Sequence, residues 1–201
     1  MLQELRPALV LTLLFTLVTG IAYPFAVTGF AQAVLPAQAN GGLVFRNGVA
    51  IGSALIGQNF ESARYFRGRP SATNAPDPKD SGKTIDAPYN AANSGAANLG
   101  PTSKALMERL TKDAVDWRAL AGVGLIPGDA ITTSASGLDP DISPQTALAQ
   151  AASVAKARNL PPERVRAMIE YAIERPLFGL LGEPRVNVLR LNLDLDRTSA
   201  D

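Results

Sequence analysis

The chain has 201 residues and a mass of 21.1 kDa, with 19 Lys and Arg against 18 Asp and Glu, and neither cysteine nor histidine. The missing Cys excludes disulfides, thiolate nucleophiles and cysteine-ligated zinc or iron–sulfur sites. The missing His excludes a Ser-His-Asp triad and any imidazole base or ligand. A net charge of +1 lacks the concentrated basic face of a nucleic-acid binder, so no nucleic-acid partner is expected.

The charges are unevenly placed. Glu4 and Arg6 open the chain, and no Asp, Glu, Lys or Arg follows across residues 7–45. Residues 8–31 hold twelve Leu, Ile, Val or Phe among 24 positions. A helix of that length measures about 36 Å, enough to cross a hydrocarbon core of about 30 Å. Its twelve large apolar side chains contribute roughly −4 to −7 kcal/mol of insertion free energy. The chain therefore divides into a cytoplasmic tip (1–7), a transmembrane helix with its exit (8–35) and an extracytoplasmic domain (36–201). The competing reading is a cleaved signal peptide, with Ala37-Gln38-Ala39 as the processing site, which would release a solute-binding module. A signal's apolar region usually runs about 7–15 residues, shorter than this one. The orientation rests on a weak positive bias from Arg6 and the terminal amine. Every fourth position reads Ala8, Thr12, Thr16, Gly20, Pro24 and Thr28, a ridge of compact residues of the kind that lets helices approach closely in lipid. Thr12, Thr16 and Gly20 are its docking candidates. Pro24 is expected to bend the helix.

The fold class expected for the remainder is mixed α+β, a single domain behind one membrane helix. Leu43 to Arg46, then Asn47-Gly48, then Val49 to Ile51 is a hairpin signal, because Asn-Gly supplies both positive-φ positions of a type I′ turn. Residues 71–100 are rich in Pro, Gly, Asn, Asp and Ser without periodicity and read as a long loop. A helix over 101–118 would bury Leu106, Met107, Leu110, Ala114 and Trp117. Ser143-Pro144 starts another helix, running to about Arg158. Pro161-Pro162-Glu163 opens a third, with Val165, Met168, Ile169 and Ala172 inward. The alternating Leu189, Leu191, Leu193 and Leu195 predict a strand with one buried face, out of phase with Val186 and Val188.

Three fragments imitate chemistry. Gly82-Lys83-Thr84 ends like a phosphate-binding loop, but the position needing the first glycine is Asp77. Ser153-Val154-Ala155-Lys156 matches the S-x-x-K of exported acyl enzymes without their partner motifs, and leaves a Ser–Lys acyl enzyme as an alternative. Asp139-Pro140-Asp141-Ile142-Ser143 begins like a calcium loop, yet places Pro144 and Gln150 where Gly and Glu are required. Asp139 fits a turn better.

Five stretches, GSALIGQNF (52–60), YFRGRPSA (65–72), YNAANSGAANLGPTS (89–103), TTSASGLDPDISP (132–144) and GEPRVNVLRLNLDLD (182–196), occur in order behind the apolar segment. Together the pattern resembles the C subunit of the bacterial Kdp potassium-transporting P-type ATPase. Two positions depart from that family: Asp141 stands where His is usual, and Asp194 where a small residue is common. The resemblance implies a non-catalytic accessory subunit of an inner-membrane potassium uptake complex. Its partners would be a pore-forming A subunit, an ATP-hydrolysing B subunit, a small F subunit and membrane lipid. It would carry no cofactor of its own, since ATP and potassium belong to the complex. The resemblance further implies a chaperone role that raises the ATP affinity of the B subunit, with Gln58 as a nucleotide-contacting residue. An external domain cannot touch cytoplasmic ATP, so the topology favours an indirect effect. Subunit docking is then expected from the membrane ridge and from Asn59, Ser134, Ser136, Asp139, Arg185 and Asn187.

Overall fold

The computed structural model describes residues 2–122 and 124–198. The chain forms two compact units, residues 1–51 and 52–201. In the first, helix α1 (Leu2–Leu17) runs into a π-helical stretch (Val18–Ala22) and then helix α2 (Tyr23–Val34). Residues Gln3–Val34 make one helical rod of 32 residues, mean hydropathy 2.0, with none of it buried; it is long and apolar enough to cross a membrane.

The irregularity sits where the ring of Pro24 takes away a backbone donor. Tyr23 N–H bonds to Val18 O, five residues back, so the helix widens by one residue per turn just ahead of the proline. Where a bend was expected at Pro24, the helix carries a π-helical stretch just ahead of it. It also breaks the ridge, because one inserted residue rotates everything beyond it by about 100°. Ala8, Thr12 and Thr16 keep one face, whereas Pro24 and Thr28 turn away from it. After a short turn, α3 (Pro36–Ala39), strands β1 (Leu43–Arg46) and β2 (Val49–Ser53) pair as a hairpin. Asn47 and Gly48 have φ of 52° and 80°, as an Asn-Gly turn of this class requires.

The second unit is α+β. Its elements are β3 (Asn74–Asp77), β4 (Asp80–Asp86), α4 (Lys104–Ala121), α5 (Gly128–Ile131), β5 (Asp141–Ile142), α6 (Pro144–Arg158), α7 (Pro162–Ala172), β6 (Ile173–Glu174), β7 (Arg185–Asn187) and α8 (Val188–Thr198). A small antiparallel sheet in the order β5-β7-β6 lies with α6, α7 and α8 around one core. Phe66, Ile142, Val154, Val165, Ile169, Val186, Leu191 and Leu195 fill it. Ser143 caps α6 as the sequence predicts, its Oγ accepting from Thr146 N; α4 starts later than expected, capped by Ser103, whose Oγ accepts from Leu106 N.

Three expectations change. The Leu189–Leu195 series is helical, with Val188, Leu191, Asn192 and Leu195 buried at three- and four-residue spacing. Asn187 ends the strand and caps that helix, its Oδ1 accepting from Arg190 N at 3.1 Å. The 71–100 segment, expected as a loop, contains the β3–β4 hairpin, in which Asn74 faces Asp86 and Pro76 faces Thr84. Met107 of α4 is exposed, and Trp117 is the buried residue of that helix.

The extended stretch through Phe66 enters the core without a strand partner. Phe66 N–H donates to Asn192 Oδ1 at 2.8 Å, and Asn192 Nδ2 donates to Phe66 O at 3.0 Å. Gln150 repeats the pattern at Arg67, accepting from its N–H at 2.9 Å and donating to its carbonyl at 3.2 Å. Replacing Asn192 with Leu is expected to lower stability by roughly 2–4 kcal/mol, since both Phe66 backbone groups lose their partner. Thermal unfolding of the detergent-solubilised full chain checks this, with a Tm drop of about 5–15 °C. Exposed Asn59→Ala serves as the control and should leave Tm in place.

Candidate functional site

The five motif stretches converge on one polar junction in the second unit. Arg69, from the extended segment, is its hub. Its Nη1 pairs with Asp139 Oδ2 at 3.1 Å, and its Nη2 reaches Thr133 O at 3.2 Å and Thr132 Oγ1 at 3.4 Å. Tyr89 Oη donates to Arg69 O at 2.7 Å. Burial and the neighbouring Asp139 carboxylate push the Tyr89 phenol up to about 12, with Arg69 opposing, so Tyr89 stays a neutral donor.

Small residues make this proximity possible. A side chain at Gly57 would collide with the Tyr89 ring and the Asp139 carbonyl, and one at Gly68 with the Tyr89 hydroxyl. Gly57 N–H also donates to Leu138 O at 2.8 Å. Gly137, at φ +67°, has the Gly95 carbonyl where a Cβ would sit, and its own carbonyl accepts from Ser71 Oγ at 2.8 Å. Ser71 and Thr73 bind the 87–90 turn in turn: Tyr89 N–H donates to Ser71 Oγ, Asn90 N–H to Thr73 Oγ1, and Thr73 Oγ1 to Ala87 O at 2.6 Å. The Ser136 carbonyl accepts from Gly95 N–H and from Ser94 Oγ.

On the neighbouring side, Asp139 Oδ1 accepts from Asp141 N–H at 3.0 Å, which closes the turn. Asp141 pairs with Arg185 at 3.1 Å and accepts from Asn187 Nδ2 at 3.1 Å. Asn187 Nδ2 also donates to Ala54 O, so this one amide ties the first motif stretch to the last. Glu174 joins Arg185 to Arg190. Asp129 accepts from Ser143 N–H at 2.7 Å and from the hydroxyls of Ser143 and Thr146. Asp129, Asp139, Asp141, Arg69 and Arg185 border a groove of about 510 Å³. Arg69 and Arg185 pair with Asp139 and Asp141 there, whereas Asp129 is held by neutral amide and hydroxyl donors and the exposed Glu183 also lines the groove. Among the described residues, no group of three or more His, Cys, Asp or Glu is arranged to hold a metal ion.

The sequence-derived candidates fall in three places. Asp139 is in the junction, with Ser134 and Ser136 on its edge: Ser134 is buried, its Oγ 3.5 Å from that of Ser136. Arg185 and Asn187 join it through Asp141. Gln58 lies alongside, half-buried, its side chain filling the space over Gly52 next to Leu189. Asn59 is exposed and donates to Glu61 Oε1. Thr12, Thr16 and Gly20 belong to the other unit. Arg69 and Tyr89 were not singled out by sequence; their only signal was position inside the motif stretches. Of the imitated motifs, Gly82-Lys83-Thr84 lies on strand β4, where Lys83 pairs with Asp80 at 3.0 Å. Ser153 Oγ donates to Leu120 O, while Lys156 is exposed, so the two form no nucleophile–base pair.

The chain thus has one helix long and apolar enough to cross a membrane and a second unit whose polar loops meet in one hydrogen-bonded network. Comparison with known proteins makes the class definite. The family model for the K+-transporting ATPase, c chain (KdpC), matches residues 5–197. The chain is 59% identical over 200 residues to the potassium-transporting ATPase KdpC subunit of Bradyrhizobium diazoefficiens, covering all of both chains. Similar proteins of the same description from Rhodopseudomonas palustris and Methylobacterium nodulans are 60% and 57% identical over 196 residues, covering 98% of each chain. The chain belongs to the KdpC family, the C subunits of the K+-transporting P-type ATPase, and so has an accessory role in potassium uptake.

Asp141 gives the junction a pH signature. Burial raises its carboxyl above the ordinary 3.8, with the Asn187 hydrogen bond and Arg185 opposing. A raised acid binds its proton more tightly in the folded state, so its contribution is favourable at low pH and is lost as pH rises from 3.8 through the raised value. Asp141→Asn removes this dependence while keeping an acceptor for Asn187. The stability difference, variant minus parent, should shift in favour of Asn as pH climbs through that window. Paired denaturant titrations across pH measure it, and parallel curves would contradict it.

Proposed function

We propose that the chain is a non-catalytic docking subunit that biases the conformational equilibrium of a potassium pump, from outside the membrane. The observation that carries this reading is the junction itself. Arg69 pairs with Asp139, and Arg185 with Asp141 and Glu174, leaving a frame of serine, threonine, asparagine and backbone groups suited to recognition. The 32-residue apolar helix supports anchoring beside the pore-forming A, ATP-hydrolysing B and small F subunits. In this reading the docked domain binds one state of the pump more tightly than another. By linkage, the same coupling acts on potassium and on nucleotide affinity. A chaperone effect on ATP then needs no direct contact, and Gln58 contributes by setting the 52–60 segment against α8. Assembly, orientation and effect on ATP affinity are thereby accounted for by one interface.

Arg69→Met tests the reading. It strands Asp139 and frees the 132–133 loop, and is expected to lower co-purification of the other subunits and potassium-stimulated ATP hydrolysis by roughly tenfold, the equivalent of about 1.4 kcal/mol of docking. Ser153→Ala should leave both unchanged; loss of transport in that variant, with the complex intact, would favour the acyl-enzyme alternative instead.

The membrane helix offers a separate check. Gly20→Leu, in the π-helical stretch, is expected to reduce the yield of assembled complex by thickening a close-contact face. Full yield would mean that this face meets lipid.

A further inference from the structure

Residues 176–182, between β6 and β7, form an apolar knuckle that neither the core nor the docking junction uses. Leu177, Phe178, Leu180 and Leu181 are 61%, 85%, 85% and 64% exposed within a single turn. Isolated exposed apolar residues are ordinary, whereas four large ones on one projecting turn are not. The backbone of the turn is unusual in being closed on itself. The amides of Leu177, Gly179, Leu180 and Leu181 donate to Leu181 O, Pro176 O, Leu177 O and Leu177 O at 2.9–3.1 Å. Phe178, Gly179 and Gly182 all take positive φ (55°, 72° and 97°), which throws the side chains outward.

From this geometry we infer that the 177–181 knuckle inserts into the interfacial region of the lipid bilayer, as a second membrane contact. The argument has three steps. A backbone segment enters an apolar medium cheaply only when its polar groups are already bonded, and four of the five amides in this tip are bonded within it. The tip is convex and carries leucine and phenylalanine, the chemistry of an interfacial wedge. Finally, the bilayer is never far away: the connector between Val34 and Gly52 reaches at most about 60 Å even fully extended, which keeps the local lipid concentration high. At the base of the knuckle, Arg175 is exposed and has no ion-pair partner among the described residues, so its guanidinium is free to meet a lipid phosphate.

The inference rests on the anchored reading above, and the experiment separates the two. The full chain, with Trp117→Phe to remove the native fluorophore, carries Phe178→Trp, or Leu180→Trp as a second position. It is reconstituted with its own helix into vesicles of phosphatidylcholine and phosphatidylglycerol, brominated near the top of the acyl chains. Tyr171→Trp, at an exposed site on α7, is the control. The expected result is a blue-shifted emission that loses most of its intensity in brominated vesicles at 178 and 180, but not at 171. Solvent-like, unquenched emission at 178 and 180, with the chain retained after alkaline washing, overturns the knuckle alone. Blue-shifted but unquenched emission in the assembled pump overturns it in favour of a protein pocket. Release of the chain by alkaline washing overturns the anchor as well as the knuckle.

Discussion

Two buried carboxamides hold the second unit together. Asn192 and Gln150 each donate and accept with one residue of the Phe66-Arg67 stretch, so a strand-like segment gains both ladder bonds without a neighbouring strand. An unpartnered backbone group in that environment would cost about 1–3 kcal/mol, more than a net hydrogen bond contributes. The arrangement therefore acts chiefly as a constraint on register. Phe66 is fully buried only when both amides meet their partners, and every residue downstream is placed accordingly. Arg158 adds a third tie two residues earlier, at Arg64. Its guanidinium donates to Arg64 O, pairs with Asp196 at 2.9 Å and lies 4.7 Å from the Tyr65 ring centroid.

Fixing the register at Phe66 fixes the junction three residues later. Arg69 reaches Asp139 and the 132–133 carbonyls only because the extended stretch ends where it does. The Ser71 and Thr73 hydroxyls then meet the 87–90 turn. The same network explains why Tyr89 can occupy a positive φ of 60°, a costly conformation for a bulky residue. Its amide is bonded to Ser71, its hydroxyl to Arg69, and its ring is closed in against Gly57 and Gly68. Local strain is held by long-range contacts, in loops that contain little regular structure.

That long-range origin explains what could be seen in the sequence. Elements set by local chemistry were legible: the apolar helix, the Asn-Gly turn, the Ser143 cap with Pro144 and the Val165/Ile169 face of α7. Where two periodicities coexist, tertiary context decides. Leu189 to Leu195 alternates like a strand, yet Leu191 and Leu195 also stand four apart, and the Asn187 cap together with the partner of Asn192 selects the helix. The β3–β4 hairpin escaped notice because its strands, Asn-Ala-Pro-Asp and Asp-Ser-Gly-Lys-Thr-Ile-Asp, bury no apolar face and resemble turn composition. The junction was legible only as motif stretches. Arg69 to Asp139 spans 70 residues, and Asn187 to Ala54 spans 133, distances over which no local pattern carries information.

A preordered polar frame is also what a subunit acting by docking alone, as proposed, would require. To shift a two-state equilibrium tenfold, it must favour one state by about 1.4 kcal/mol, the net worth of one or two hydrogen bonds. A floppy loop would forfeit that margin in ordering entropy, at roughly 1–2 kcal/mol per residue fixed. Here the ordering has already been met during folding, by the carboxamide clamp and the Arg69 hub, so small differential contacts can survive as a measurable bias. Pairing Asp139 and Asp141 internally serves the same end. Held against Arg69 and Arg185, the two carboxylates shape the loops as part of that frame.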